Sequence, residues 1–155
     1  MYKRRLYNNG WQVTADPNGQ LTERDTGKTY PYLFWEGRGG IYTSPNKGSV
    51  VAQANIHSFL VGTLAKLGLN AKETADFIEF WEPRMQGSPY YAISFSGNRV
   101  MDELAPLVVS PKPDTVIRIL MDFRPLQSII NIEPQVYKTP IRKGFTVVEW
   151  GGVLR

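Results

Sequence analysis

The chain has no cysteine and only one histidine among its 155 residues. Without cysteine there can be no disulfide, no thiolate metal site and no cysteine nucleophile. A zinc site would have to be completed by carboxylates around His57 alone, which argues against zinc. The phosphate-binding glycine loops of nucleotide enzymes and the Gly-x-Ser-x-Gly turn of serine hydrolases are absent too. We therefore expect no metal and no cofactor.

Long apolar runs are also missing. No stretch approaches the roughly 20 residues that cross a bilayer, so we expect no membrane span. The N-terminal residues Met1 to Leu6 are basic but lack the apolar stretch of a signal peptide. An absence of cysteine is compatible with a reducing compartment and with export from a bacterium, so the sequence leaves the localisation open.

The net charge of +4 has an uneven distribution, with basic residues near both ends of the chain. These residues are Lys3, Arg4 and Arg5 at one end and Lys138, Arg142, Lys143 and Arg155 near the other. Such clusters can bind nucleic acid or an anionic surface. Basic chain ends are more often simply solvated, so their charge alone does not identify a partner.

Two hydrophobic periods divide the chain into three parts. Residues 10–37 have the alternation of a β-meander, with a strong turn sequence at Asp16–Gly19. Residues 55–82 have the helical period and predict a hairpin of two helices, and residues 90–152 return to a period of two. We expect a single α+β domain over residues 1–155, in which a mostly antiparallel sheet of about seven strands packs against the hairpin.

Local signals refine these boundaries. Strands are predicted at 49–51, 90–95, 104–109, 115–123 and 145–150. In the hairpin, Asn55 is a candidate N-cap, and Gly68 stands where a left-handed C-terminal cap would fall. Asn70 and Glu73 have the spacing of a capping box, and Pro83 ends the second helix.

The hairpin also fits the spacing of a helix-turn-helix motif. Its second helix, however, carries four carboxylates against one lysine, namely Glu73, Asp76, Glu79 and Glu82 against Lys72. A recognition helix needs arginine, lysine, asparagine or glutamine side chains for bases and phosphates. The sequence therefore argues against nucleic acid as a partner.

His57 lies beside Ser58 near the start of the first predicted helix. Adjacent residues of a helix do not face each other, so these two side chains do not form a catalytic dyad. His57 falls beside the apolar stripe, and we expect it to be a surface or cap residue.

Three of the four tryptophans have a glutamate as a direct neighbour. The pairs are Trp35 with Glu36, Trp81 with Glu82, and Trp150 with Glu149. Aromatic faces stack on sugars, and glycoside hydrolysis needs two carboxylates roughly 5 to 10 Å apart. The candidate binding residues are therefore these six and Tyr32. In the alternative interpretation the tryptophans anchor the core, and the glutamates bind loop amides or arginines such as Arg118 and Arg142.

A distinctive pattern runs through three segments of the chain. They are Thr26–Gly37, which contains Tyr-Leu-Phe-Trp-Glu, then Pro111–Arg118, and Arg142–Gly152, which contains Gly-Phe-Thr-Val-Val-Glu-Trp-Gly-Gly. In this pattern the chain resembles, over residues 10–152, a group of mainly bacterial and partly fungal proteins. The resemblance implies no particular activity, because none is established for the group. Members often have an exported N-terminal extension, which implies export; this chain begins at Met1 without that extension.

Together these patterns favour a non-catalytic structural or interaction module rather than an enzyme. We expect it to work in a larger assembly or a cell-surface system, through a protein partner or self-association. Trp35, Glu36, Glu149 and Trp150 are the first candidates, with the role of locking the ends of the sheet together. The alternative is a carbohydrate-binding or glycoside-hydrolase-like protein that uses Glu36 and Glu149 with tryptophan platforms. Convergence of those side chains in one open cleft would favour the alternative.

Overall fold

The computed structural model describes residues 10–37 and 42–154 of the chain. They belong to two compact units, Met1–Gly39 and Gly40–Arg155; the single domain expected from the sequence stays a prediction. The described residues contain seven strands and three helices, which confirms the α+β class. The strands are β1 (Val13–Ala15), β2 (Leu21–Glu23), β3 (Thr29–Tyr30), β4 (Ser49–Ala52), β5 (Tyr90–Ser96), β6 (Thr115–Leu126) and β7 (Thr146–Gly152). The helices are α1 (Ile56–Lys66), α2 (Ala71–Trp81) and α3 (Asn98–Leu104), with short 3-10 turns at Gln53–Asn55 and Glu82–Arg84.

In the Met1–Gly39 unit, β1, β2 and β3 form an antiparallel sheet in that order. The predicted turn joins β1 to β2, where the Gly19 N–H donates to the Asp16 carbonyl at 2.8 Å and Gly19 has a φ of 87°. A positive φ is easily adopted only by glycine. The predicted meander is therefore confirmed, although its third strand is only two residues long.

The Gly40–Arg155 unit has a separate four-stranded sheet in the order β4-β5-β6-β7. The first two pairings are antiparallel, and β7 pairs with β6 in parallel, with Arg118 opposite Glu149. The seven strands thus form two sheets instead of the one predicted. A parallel pair cannot be joined by a tight turn, so residues 127–145 form a long crossover between β6 and β7.

The helical hairpin covers one face of this four-stranded sheet. Side chains alternate along β6: Ile117, Ile119 and Met121 are buried in the core with the apolar faces of α1 and α2. Arg118 and Asp122 point to the opposite face and are buried there. The predicted packing of sheet on hairpin is therefore present in this unit.

The ends of the hairpin helices follow the sequence signals. Gly68, with a φ of 97°, donates its N–H to Ala65, and the Leu69 N–H donates to Leu64, which is the Schellman arrangement. The Asn70 side chain accepts from the Glu73 N–H at 2.9 Å, and the Glu73 carboxylate accepts from the Asn70 N–H at 2.8 Å. The capping box is thus confirmed. Asn55 occupies the N-cap position of α1 but makes no side-chain cap hydrogen bond.

The strand predicted at residues 104–109 is wrong. That region ends the helix α3, which begins at Asn98, and continues without regular structure. The side chain of Met101, on α3, is buried in the protein interior. On the same helix Arg99 forms an ion pair with Glu103, four residues further along. Contacts of α3 with β5 and β6 outweigh the strand propensity of the Val108-Val109 dipeptide, which follows Pro106.

The side chain of Gln135 is one of the contacts that hold the crossover between β6 and β7 to the sheet, and it bonds to β5 at Phe95, where the β4 side of β5 has no neighbouring strand. The amide of Gln135 accepts from the Phe95 N–H at 2.8 Å and donates to the Phe95 carbonyl at 2.9 Å. Tyr137 donates its hydroxyl to the same amide oxygen, and burial raises the pKa of Tyr137 above its ordinary value. One glutamine thus satisfies both backbone groups of a buried residue of β5.

Replacing Gln135 with alanine should lower the free energy of unfolding by about 1 to 2 kcal/mol, because the buried Phe95 N–H and carbonyl lose their partner. Urea denaturation followed by tryptophan fluorescence would measure the change. Gln127→Ala, at an exposed position earlier in the same crossover, is the matched control and should change little. Equal stability of the two variants would show that the amide contact contributes nothing.

Candidate functional site

Two of the candidate tryptophans belong to the core of the Gly40–Arg155 unit. Trp81, on α2, is 4% exposed, and Trp150, on β7, is half-buried against the core. Both contact Phe77, with ring centroids 6.3 Å and 5.4 Å from its own. Such packing favours the interpretation of these two rings as anchors between helix and sheet over that of open sugar platforms.

A glycine makes room for one of these rings. A β-carbon on Gly152 of β7 would lie only 2.7 to 2.9 Å from three ring carbons of Trp81. Real β-carbons essentially never approach that closely, so the absence of a side chain at this position allows α2 to pack against β7. The Gly-Gly end of the distinctive C-terminal segment therefore has a packing role at its second glycine.

Glu149 lies on the other face of the sheet. Its neighbours Val148 and Trp150 pack against the core, so alternation directs Glu149 away from the hairpin. There its carboxylate accepts a hydrogen bond from Nε of Arg118 at 2.5 Å. The Arg118 side chain is 1% exposed and that of Glu149 is 15% exposed, so this ion pair is buried.

The rest of the Arg118 guanidinium is satisfied by α3 and the residues after it. One terminal nitrogen donates to Asp102 at 2.6 Å, and the other donates to the carbonyl of Ala105 at 2.6 Å. The Asn98 side chain accepts from the Arg118 N–H and donates to the Val116 carbonyl. Burial by itself would lower the pKa of Arg118, but the hydrogen bonds and charges of Glu149 and Asp102 raise it above its ordinary value. This cluster, Arg118, Glu149 and Asp102, ties α3, β6 and β7 together.

Glu82 is held elsewhere, in the helical layer. Its carboxylate lies 2.9 Å from Nδ1 of His57, so the pair joins the start of α1 to the turn that follows α2. His57 is exposed, and its prediction as a surface residue is confirmed. Because Glu82 belongs to the helical layer and Glu149 to the opposite face of the sheet, these two carboxylates do not share a site.

The remaining candidates lie in the Met1–Gly39 unit, in the segment after β3. Tyr32 and Trp35 are half-buried, and Glu36 is exposed. The Trp35 ring folds back onto the chain, 3.3 Å from the position that a β-carbon of Gly37 would take.

A small polar cavity lies on the sheet face opposite the hairpin. Its volume is about 60 Å³, and its walls are Ser44–Lys47, Ala92, Ser94, Asp122, Arg124 and Ile132. The Ser94 hydroxyl donates to the Lys47 carbonyl at 2.7 Å, and Lys47 pairs with Glu133. Small-molecule pockets are commonly about 300 to 1,000 Å³, so this cavity is well below the size of a sugar site.

Within residues 10–37 and 42–154, no three histidine, aspartate or glutamate side chains are placed to hold a metal ion. In the same ranges no helix has both the length and the hydropathy needed to cross a membrane. The chain matches no protein-family model, and no curated protein and no solved structure is significantly similar to it.

Sequence patterns indicated part of the Arg118 cluster. The pairing of a glutamate with Arg118 was the alternative interpretation, whereas Arg142 pairs with Glu73 and with the Gly68 carbonyl instead. Asp102 carried no recognised signal, because the strand predicted at 104–109 left it in a connecting segment. The spacing of Arg99 and Glu103 by four residues is the signal that indicates a helix around it.

Proposed function

We propose that this protein is a non-catalytic structural or interaction module that acts within a larger assembly, through a protein partner or self-association. The observation that carries the proposal is the buried pair of Glu149 and Arg118. In this pair the carboxylate of Glu149 supports the packing of β7 and α3 around Arg118. A residue with that structural task is poorly placed to act on a substrate.

The chemistry of glycoside hydrolysis supports the same conclusion. One carboxyl group must donate a proton to the leaving oxygen, and a second must act at roughly 5 to 10 Å across the sugar. The Glu149 carboxylate is turned toward a buried guanidinium and its side chain is only 15% exposed, so it has little access to a substrate. The neighbouring Trp150 ring, moreover, packs toward the core on the opposite face.

Exposed apolar side chains supply contact area for a partner. In the described part of the chain they are Val61, Leu107, Val108, Ile129, Val136, Ile141, Phe145 and Leu154. Most of them lie in the two irregular segments that flank β6. Exposed apolar groups of this size are common at sites of association when they are brought together.

The carbohydrate alternative is tested against this proposal with Glu149→Gln. We expect no hydrolysis of p-nitrophenyl glycosides by the wild type and no retention on insoluble cellulose or chitin. The substitution should lower the free energy of unfolding by about 1 to 3 kcal/mol, a loss of several degrees in Tm, because the buried guanidinium loses a charged acceptor.

Glu79→Gln, at an exposed position on α2, is the control and should leave Tm nearly unchanged. Hydrolysis by the wild type that either Glu149→Gln or Glu36→Gln abolishes would overturn the proposal. Sedimentation velocity over a wide range of concentrations would then test the self-association branch directly.

A further inference from the structure

One end of the Gly40–Arg155 unit brings several basic segments together. It contains the hairpin turn, the start of β6 and the residues that lead into β7. Gly68 of the hairpin turn packs closely against Pro140, since a β-carbon on Gly68 would stand 2.5 Å from Cγ of Pro140. Arg142 donates to the Gly68 carbonyl at 3.0 Å through Nε. The crossover is therefore anchored over the hairpin turn.

A second set of contacts joins the same segment to the start of β6. Thr115 donates its hydroxyl to the Lys143 carbonyl and accepts from the Lys143 N–H, both at 2.9 Å. The Asp114 carboxylate accepts from the Phe145 N–H at 2.7 Å. Four exposed lysines lie on these anchored segments, each no more than two residues from an anchored residue. We call this surface the basic end; its lysines are Lys66, Lys112, Lys138 and Lys143.

The charges of the basic end are not neutralised within the described part of the chain. Of the nearby acids, Glu73 pairs with Arg142 and Asp76 pairs with Lys72 at 2.8 Å. Asp114, which accepts from a backbone N–H, leaves one exposed carboxylate against the four lysines. The four lysines of the basic end form no ion pair in the ranges that the structure describes. Exposed, unpaired lysines around one end create a positive potential that attracts an anionic surface.

Two exposed apolar side chains lie within two residues of Lys143 in the chain. Ile141 is 76% exposed, and Phe145 is 38% exposed. Ile141 stands between Pro140, which packs on the hairpin turn, and Arg142, which is fixed to it, so its backbone is anchored on both sides. Apolar side chains surrounded by lysines fit the boundary between lipid headgroups and acyl chains.

We propose that the basic end binds the surface of an anionic phospholipid bilayer. Ile141 and Phe145 enter the headgroup boundary, and the lysines contact lipid phosphates and carboxylates. The inference rests on the proposed function as an interaction module and names the class of surface to which the module attaches. Lipid fits better than nucleic acid because Arg142, which could read a base edge beside Ile141, is already held by Glu73 and the Gly68 carbonyl. The more exposed of the two apolar side chains, Ile141, is aliphatic and offers no stacking face.

The test is co-sedimentation of the full chain with vesicles of phosphatidylcholine alone or mixed with phosphatidylserine. We expect binding only to the mixed vesicles, and weaker binding as salt is raised. Lys138→Gln/Lys143→Gln should weaken binding about 30-fold, which corresponds to about 1 kcal/mol for each lysine. Arg24→Gln/Lys28→Gln removes the same charge from exposed positions of the connection between β2 and β3 and is the matched control.

The contribution of the apolar side chains to vesicle binding is tested by a second variant with its own control. Ile141→Ser should weaken binding about tenfold. Ile129 is 69% exposed and follows the C-terminal end of β6, the end opposite to the basic end. Ile129→Ser should therefore leave vesicle binding unchanged. Equal losses for the two charge variants, or no loss with Ile141→Ser, would overturn the assignment to lipid. Tighter binding to a DNA duplex than to the vesicles would overturn it as well. The glycoside and sedimentation assays are independent of all these outcomes, so failure of the lipid assignment leaves the proposed function to be judged separately.

Discussion

Replacing Arg118 with methionine should lower the free energy of unfolding by about 3 to 5 kcal/mol. The substitution keeps most of the side-chain volume, but it takes the Arg118 cation away from the largely buried carboxylate of Glu149. Removing one partner of a buried ion pair costs far more than the pair contributes as a whole, because the remaining charge stays desolvated. The Ala105 carbonyl loses its donor at the same time. Urea denaturation followed by far-ultraviolet circular dichroism would measure the loss.

Two further variants separate charge from packing at this position. Arg99→Met removes an exposed arginine of α3 that also pairs with a carboxylate, and it should change stability by less than about 0.5 kcal/mol. Arg118→Met combined with Glu149→Leu removes both buried charges and should recover part of the lost stability. A wild-type stability for Arg118→Met alone would mean that the pair does not support the sheet.

Gly152→Ala is the second substitution expected to have a large effect, about 2 to 3 kcal/mol of destabilisation. The new methyl group would stand within 3 Å of three Trp81 ring carbons, and the ring cannot move away because it is enclosed by Phe77, Phe80 and Phe123. Either α2 separates from β7 or the end of β7 shifts on β6. Thermal unfolding followed by tryptophan fluorescence would report both changes.

The adjacent glycine supplies the control. A β-carbon on Gly151 meets no atom within 4 Å, so Gly151→Ala should be nearly neutral. Combining Gly152→Ala with Trp81→Phe should be less costly than the sum of the two single changes, since the smaller ring leaves room for the methyl group. Strict additivity of the two substitutions would contradict the steric explanation.

The hairpin could be predicted from the sequence because its signals are local. The capping box at Asn70 and the left-handed glycine at Gly68 depend on residues a few positions away, and the structure has both. The helix α3 was missed because it is only seven residues long and is stabilised by distant partners. Arg118, which holds Asp102 and the Ala105 carbonyl, lies 16 and 13 residues further along the chain.

The sequence was sufficient to select the residues of the candidate site, but it did not determine which arginine pairs with Glu149. The tryptophans and Glu149 could be selected by composition, and an arginine partner could be suggested. That Glu149 faces Arg118 depends on the parallel register of β7 with β6, which a crossover of many residues sets. Likewise, the division into two sheets depends on which strands pair, and alternation of side chains carries no information about that choice.

The place of β7 in the chain has a consequence for biosynthesis. Of the groups that contact the Arg118 guanidinium, Asp102 and Ala105 leave the ribosome before it, and only Glu149 leaves after it. While β6 has emerged and β7 has not, Arg118 has Asp102 and the Ala105 carbonyl as partners, and the side of β6 that β7 occupies is unpaired. The arrival of β7 therefore supplies the second carboxylate partner of Arg118 and the backbone partners of that side of β6 together.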